Sequence, residues 1–312
     1  MGFEHTSVMP QEVHDYQNLK PGDICVDCTL GGSGHALATV GAIIPGGTLI
    51  GIDQDKDAIA HAEKSLYSYK ANIKLYHNNF SDLPDILAKA GIKGVNSILL
   101  DLGFSLNQLT QSKRGFSFQK NEPLDMRMDT RNALTAEEII NTYTEKQLAD
   151  IFYKYGEERL SRRVARAITR ARTTAPVKTS MELAKLVAGA IPGKVAAKQK
   201  IHPATRVFQA LRIAVNRELE RLEAFMSQVP SMLVKDGRIC IISFHSLEDR
   251  IVKQRLKSFE NGCTCPKELP RCVCGFVPTM KSITRKPLIA SPKETAANPM
   301  ARSAKLRVAQ RL

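Results

Sequence analysis

The sequence predicts an α/β fold: a Rossmann-like, doubly wound sheet interrupted by an inserted all-helical domain. Three observations carry this. Cys25 to Asp53 reads as strand, glycine-rich turn, short helix, strand and terminal acid, which is half of a nucleotide-binding sheet. Further apolar runs at 73–76, 95–100 and 238–243 have strand length, and each leads into polar residues. Residues 110–200 lose the strand pattern and take up helical spacing. The expected boundaries are a discontinuous sheet domain, 1–109 and 203–312, and an insert, 110–202.

A short lead-in with a helical pattern, 5–20, ends at the Pro21-Gly22 turn. The first strand, Ile24 to Val26, is followed by Gly31, Gly32 and Gly34, then by a helical pattern from His35 to Val40. The third glycine of a nicotinamide site is missing, since Leu37 follows Gly34, and there is no Gly-Lys-Ser/Thr of a P-loop. S-adenosylmethionine has no pyrophosphate to cradle, so it suits this turn better. Another nucleotide, or a plain core turn, is the alternative. Asp53 closes the second strand, Thr48 to Ile52, where a carboxylate can accept from both ribose hydroxyls.

A helix over 56–67 places Ala58, Ile59, Ala62 and Leu66 on one face. After the third strand, Asn78-Asn79-Phe80-Ser81-Asp82 should reach the same crevice. Phe80 packs there on an adenine ring or, alternatively, in the core. The fourth strand ends in Asp101. A buried unpaired carboxylate is costly, so an acid at this position points to function.

In the insert, Arg114, Phe116, Phe118 and Arg127 lie close in sequence. Rings beside guanidinium groups can stack on an unpaired base and neutralise its phosphates. A packed loop with solvated charges is the competing reading. Residues 156–172 read as one amphipathic helix, with Leu160, Val164, Ile168 and Ala171 on one face. Arg159, Arg163, Arg166 and Arg170 share another face with no acid among them, which points to phosphate contact. A helix over Thr179 to Ala190 ends at Pro192-Gly193, and a basic loop, Lys194 to Lys200, follows. One long helix from His202-Pro203 carries Phe208, Leu211, Val215, Leu219, Leu222 and Met226 as a core face. Asp236-Gly237 is a turn. The last strand leads to Phe244, His245, Ser246 and Glu248, and His245 is either structural or catalytic.

The 312 residues carry a net charge of +14, which suggests a polyanionic partner, most often nucleic acid. Residues 281–312 hold eight Lys/Arg against one acid, Glu294, and read as a solvated tail or, from their apolar spacing, a docked segment. No apolar run has membrane-spanning length, and the N-terminus lacks a secretory pattern, so the cytoplasm is expected. Seven cysteines argue against a disulfide framework. Cys263, Cys265, Cys272 and Cys274 are a zinc candidate, although the pairs are C-x-C rather than C-x-x-C; a reduced loop is the alternative.

Several longer motifs are more specific: HTSV (5–8), VDCTLGGSGH (26–35), DLGFS (101–105), RGFSF (114–118), PLDMRMD (123–129), YGEER (155–159), HPATRVFQALRIAVNREL (202–219), SFHSLEDRIVK (243–253) and NPMARSAKLR (298–307). Together the chain resembles the bacterial ribosomal RNA small-subunit methyltransferase H family, also called MraW. The resemblance implies a class I S-adenosylmethionine-dependent methyltransferase with a helical insert. It implies methylation of the N4 amine of a cytidine in the decoding region of 16S ribosomal RNA. Matched residue by residue, the cofactor positions fall on Ser33, Gly34, His35, Asp53, Phe80, Asp101 and Gln108. The turn reads GGSGH where the family commonly reads GRGGH. Within this reading Asp101 and His245 are catalytic candidates, and Phe104, Phe116 and Phe118 are candidates for stacking on the flipped base. Two readings compete: a protein that assists ribosome assembly, and a DNA amino-methyltransferase. The latter usually carries Asp/Asn-Pro-Pro-aromatic after strand four, whereas Leu-Gly-Phe follows Asp101. The sequence leaves the oligomeric state, monomer or homodimer, open.

Overall fold

The structure is a computed structural model that describes residues 7–199, 201–263, 265–266 and 273–312. Positions 5 and 6 of the first motif, Lys200 of the basic loop and Cys272 lie outside the described residues.

The chain begins with α1 (Pro10–Gln17), β1 (Ile24–Asp27), α2 (Gly34–Ile43), β2 (Thr48–Asp53), α3 (Lys56–Leu66), β3 (Asn72–His77), α4 (Leu83–Lys89) and β4 (Val95–Asp101). A helical run follows: α5 (Leu106–Thr110), α6 (Ala136–Thr142), α7 (Glu145–Gly156), α8 (Ser161–Arg172), α9 (Ser180–Ala190), α10 (Gly193–Ala196), α11 (Thr205–Asn216) and α12 (Glu218–Met232). The chain closes with β5 (Leu233–Ser243), α13 (Ser246–Glu260), β6 (Met280–Ser282), β7 (Leu288–Ile289), α14 (Pro292–Ala297) and β8 (Lys305–Arg311). Two compact units result, one of residues 1–103 and 219–312, the other Phe104–Glu218.

The first unit is the predicted doubly wound sheet. Its strand order is β3-β2-β1-β4-β5-β8-β6, with β7 beside β8. Strands β1 to β5 are parallel and β8 is antiparallel to β5. Alternate residues of each strand face opposite sides, and both sides are covered. Val26, Ile50, Ile98 and Ile239 pack with Leu87 of α4, Phe225 and Val229 of α12, and Val252 of α13. Cys25 and Leu49 pack with Val40 of α2 and Ala62 of α3; Leu99 and Ile242 pack with Val13 of α1. Strands buried on both faces are continuous apolar runs, as the sequence shows. The order reverses between β1 and β4, and ligands of such sheets bind at the carboxyl ends beside that point.

Residues 281–312 are not a tail. Their alternating LRVAQR segment is β8, hydrogen-bonded between β5 and β6. Two of their basic side chains share one acid: Asp249 accepts from Arg307 at 2.7 Å and from Lys305 at 3.1 Å. The predicted Asp236-Gly237 turn lies within β5 as an irregularity, where Asp236 takes φ +63. A Cβ on Gly237 would come within 3.0 Å of Val95 O, so only glycine fits.

The second unit is helical. Leu148, Phe152, Val164, Ile168, Leu183, Val187, Val207 and Leu211 form its core. The long helix expected from His202 onward is two helices. The chain breaks at Arg217, which takes a left-handed conformation, φ +51. The buried Asn216 side chain holds the break by accepting from Met128 N at 2.8 Å and donating to Met126 O at 2.8 Å. The helix predicted over 156–172 likewise starts only at Ser161, after a left-handed Glu157, so Arg159 precedes it.

Candidate active site

Three acids close three neighbouring strands of the sheet unit: Asp27 on β1, Asp53 on β2 and Asp101 on β4. Asp27 is 1 % exposed. Its Oδ1 accepts from Thr29 N at 3.1 Å, while Oδ2 has no partner. Thr29 also receives the backbone N–H of Asp101 on its hydroxyl at 2.8 Å, which ties the ends of β1 and β4 together. One carboxylate oxygen of Asp101, Oδ1, has no partner, and the other lies 3.8 Å from Nε2 of His35, a buried residue in the first turn of α2. Asp53 accepts from Gly31 N at 2.9 Å and Asp55 N at 2.8 Å. A carboxylate has about four lone-pair sites, so these backbone bonds leave Asp53 further capacity.

The glycine turn presents one more acceptor. Ser33 takes a left-handed conformation, φ +64, at the N-cap of α2, and its fully buried hydroxyl has no partner. The next residue, Gly34, lies so close to Ser7 that an added Cβ would displace the Ser7 hydroxyl. Ser7 of the HTSV motif thereby packs against the start of α2.

Burial raises all three carboxyls. Asp27 is pushed up to about 7, by burial first and then by the Asp53 charge. Asp53 is pushed up to about 6 by burial, against the backbone N–H groups that favour its ionised form. Asp101 is held well above the ordinary carboxyl range by burial, then by Asp27 and Glu248. Orphaned buried acceptors of this kind call for a ligand that is rich in donors and positively charged. An ammonium group, ribose hydroxyls and a sulfonium together fit that description.

Asp27 escaped the sequence reading, although it ends its strand in the same way as Asp53 and Asp101. Its ionisation has a consequence for stability. The unfolded chain releases this proton near pH 4 and the folded chain near pH 7, so stability falls as pH rises across that window. Asp27→Asn removes the penalty. The ligand-free variant should therefore melt several degrees above the wild type at pH 8, from about 2–4 kcal/mol of relieved penalty, with the gain vanishing towards pH 4. Equal melting temperatures at pH 8 would show that the carboxylate carries no such burden.

Other expected site residues have different surroundings. Phe80 is presented by a capping box, in which Ser81 N donates to Asn79 Oδ1 at 3.0 Å, and its buried ring stands edge-on to Phe225 at 5.4 Å. His245 caps α13: its Nδ1 accepts from Glu248 N at 3.4 Å, and its Nε2 lies 3.1 Å from Glu248 Oε1. Glu248 is 2 % exposed and its other oxygen accepts from Phe244 N at 2.9 Å. The His-x-x-Glu spacing thus forms a capping box.

In the helical unit, Gln108 belongs to the capping box of α5, accepting from Ser105 N at 3.0 Å. Phe116 is part of the core and stacks on Phe104 at 6.1 Å; Arg212 lies over the Phe104 ring. Arg114 is buried too, donating to Arg127 O and Met128 O, while Arg127 grips Asp125 through two bonds of 2.7 Å. The RGFSF and PLDMRMD motifs therefore lock each other in place, which is the packed-loop reading. Phe118 is only half-buried and stacks on the exposed His202 at 4.6 Å. Arg159, Arg163, Arg166 and Arg170 are all exposed, and Arg162 joins them. Their one ion pair among the described residues is the exposed contact of Arg166 with Glu145 at 3.4 Å.

The model of the MraW methylase family matches residues 2–312. A ribosomal RNA small subunit methyltransferase H of Desulforapulum autotrophicum is 60% identical over 312 residues, the whole of both chains. The protein of that name from Desulfosudis oleivorans is 49% identical over the same length. That of Geobacter sp. (strain M21) is 48% identical over 310 residues, 99% of each chain.

Proposed function

The chain belongs to the MraW methylase family, and from that premise we propose that it methylates the N4 amine of a cytidine in the decoding region of small-subunit (16S) ribosomal RNA. Its fold is that of the class I S-adenosylmethionine-dependent methyltransferases, and S-adenosylmethionine is its cofactor. The observation that carries the assignment of the site is the trio of acids at the ends of β1, β2 and β4, with orphaned acceptors on Asp27, Asp101 and Ser33. The RNA substrate rests on the names of the relatives, on the charge of +14 and on the exposed arginines of α8.

When bound, the cofactor supplies a methyl group activated by a sulfonium. Asp53 would hold the ribose hydroxyls, and Ser33, Gly34 and His35 at the start of α2, together with Asp27, would hold the amino-acid end. Phe80, Asp101 and Gln108 would complete the set that the family pattern assigns to the cofactor, to which the structure's orphaned acceptor adds Asp27. Catalysis is then mostly positioning, because in-line displacement needs the acceptor nitrogen aligned with the breaking bond. The N4 lone pair is delocalised into the cytosine ring, so the amine needs a hydrogen-bond acceptor and an outlet for a proton. Asp101 provides both. The half-exposed Phe118–His202 pair offers a stacking platform for an unpaired base.

The test is methyl transfer from labelled S-adenosylmethionine to small subunits, naked 16S RNA and duplex DNA, with nucleoside analysis. Label is expected in N4-methylcytidine from ribosomal RNA. Label in another nucleoside would overturn the acceptor atom, and label only in DNA would overturn the substrate. Cofactor binding with no transfer to any of them would favour an assembly role.

A further inference from the structure

Methyl transfer leaves the paired C-x-C motif without a task. Helix α13 ends at Glu260, and among the described residues no regular element follows until β6 at Met280. The ends of this loop are fastened to each other. Thr279 N donates to Phe259 O at 3.0 Å. Gly262 leaves the helix against the Phe276 ring, where a Cβ would stand 2.6 Å from Cε2. Among the described residues of the loop, Val273 and Val277 are 77 % and 73 % exposed and add nothing to a core.

Three sulfurs nevertheless converge. The Sγ atoms of Cys263, Cys265 and Cys274 all lie within 4.8 Å of one another, and Cys263 and Cys274 are 3.6 Å apart. Tetrahedral zinc with Zn–S bonds of about 2.3 Å holds its thiolates about 3.8 Å apart. A disulfide needs about 2.05 Å, so Cys263 and Cys274 are not joined by one. The backbone also addresses a sulfur: Val273 N donates to Cys265 Sγ at 3.3 Å. An N–H aimed at sulfur favours thiolate over thiol and is the outer-shell support typical of a metal-bound cysteine.

We propose that Cys263, Cys265 and Cys274 form a structural site for a thiophilic divalent cation, zinc by its ligand chemistry, that closes the loop between α13 and β6. Soft thiolates select zinc over hard cations. A cross-link of this kind can take the place of a core. The fourth coordination position falls to a donor beyond these three. Each thiol gives up its proton as the ion binds, so affinity rises with pH. This site is independent of the methyl-transfer reading.

The experiment uses the full chain, purified under reducing conditions, with elemental analysis for zinc and titration with Co²⁺. One ion per chain is expected, and cobalt should give a near-ultraviolet thiolate-to-metal band with the strong visible bands of tetrahedral coordination. The Cys263→Ser/Cys274→Ser variant should lose that band and at least about tenfold in zinc content. A wild-type chain with all thiols reduced but no cobalt band would overturn the site, whether or not the variant folds. So would a band that persists undiminished in the double variant, or thiol titration that finds Cys263 and Cys274 oxidised.

Discussion

Asp101→Asn is expected to lower the turnover of methyl transfer by about 10²–10⁴-fold while leaving S-adenosylmethionine affinity within about tenfold. Asparagine keeps the shape of the side chain and one acceptor oxygen, so contacts that need only an acceptor survive. It cannot take a proton. In the wild type, the backbone of Asp101 is fixed through Thr29 and its Oδ1 has no partner. Burial, Asp27 and Glu248 raise its proton affinity, which makes the carboxylate a stronger base than one in water. The positive sulfonium of the cofactor works in the opposite direction and favours the ionised form in the complex. The wild-type rate should therefore climb as pH rises through the ionisation of this group and then level off, and the Asn variant should lack that limb. A variant that turned over at the wild-type rate with the same pH profile would remove Asp101 from the chemistry.

The sheet was legible because each core strand ends visibly. Apolar runs stop at Asp27, Asp53 and Asp101, and doubly wound topology places such ends side by side. Asp27 is the least legible of the three, because its strand is only four residues long and a glycine cluster follows it closely. The division of the 202–232 segment was not legible, because the apolar stripe runs unbroken across Arg217. Phe208, Leu211 and Val215 of that stripe belong to the core of the helical unit, while Leu222 and Met226 belong to the sheet core. One periodicity serves two cores, and only the left-handed Arg217 marks the change. The surroundings of His245 and Phe116 were hidden for a different reason. A histidine near a strand end looks catalytic until the glutamate three residues on is seen to cap with it. A phenylalanine beside an arginine looks like a stacking platform until that arginine is found buried on backbone carbonyls. In both cases the chemistry of the side chain is the same and the partner decides its use.

Replacing Arg163, Arg166 and Arg170 together by alanine is expected to weaken binding to ribosomal RNA by about a hundredfold near 0.1 M salt and to reduce the slope of log K against log salt by about 2–3. Several other arginines are neutralised: Arg127 by Asp125, Arg131 by Asp129, Arg212 by Glu218 and Arg307 by Asp249. On α8, no acid among the described residues pairs with Arg163 or Arg170, and the Arg166–Glu145 contact is too exposed to be worth much. The inner face of the helix, Val164, Ala165 and Ile168, is fully buried and untouched by the change, so fold and melting temperature should hold. Net charge alone would also weaken RNA binding, which the comparison must separate. Lys56, Lys64 and Lys70 are exposed and carry the same total charge, so their triple alanine variant removes as much without touching α8. If the arginine variant loses affinity and salt dependence and the lysine variant keeps most of both, α8 is a phosphate-contacting face. If the two variants weaken binding equally, the arginines contribute only their share of the overall field, and the RNA footprint lies elsewhere.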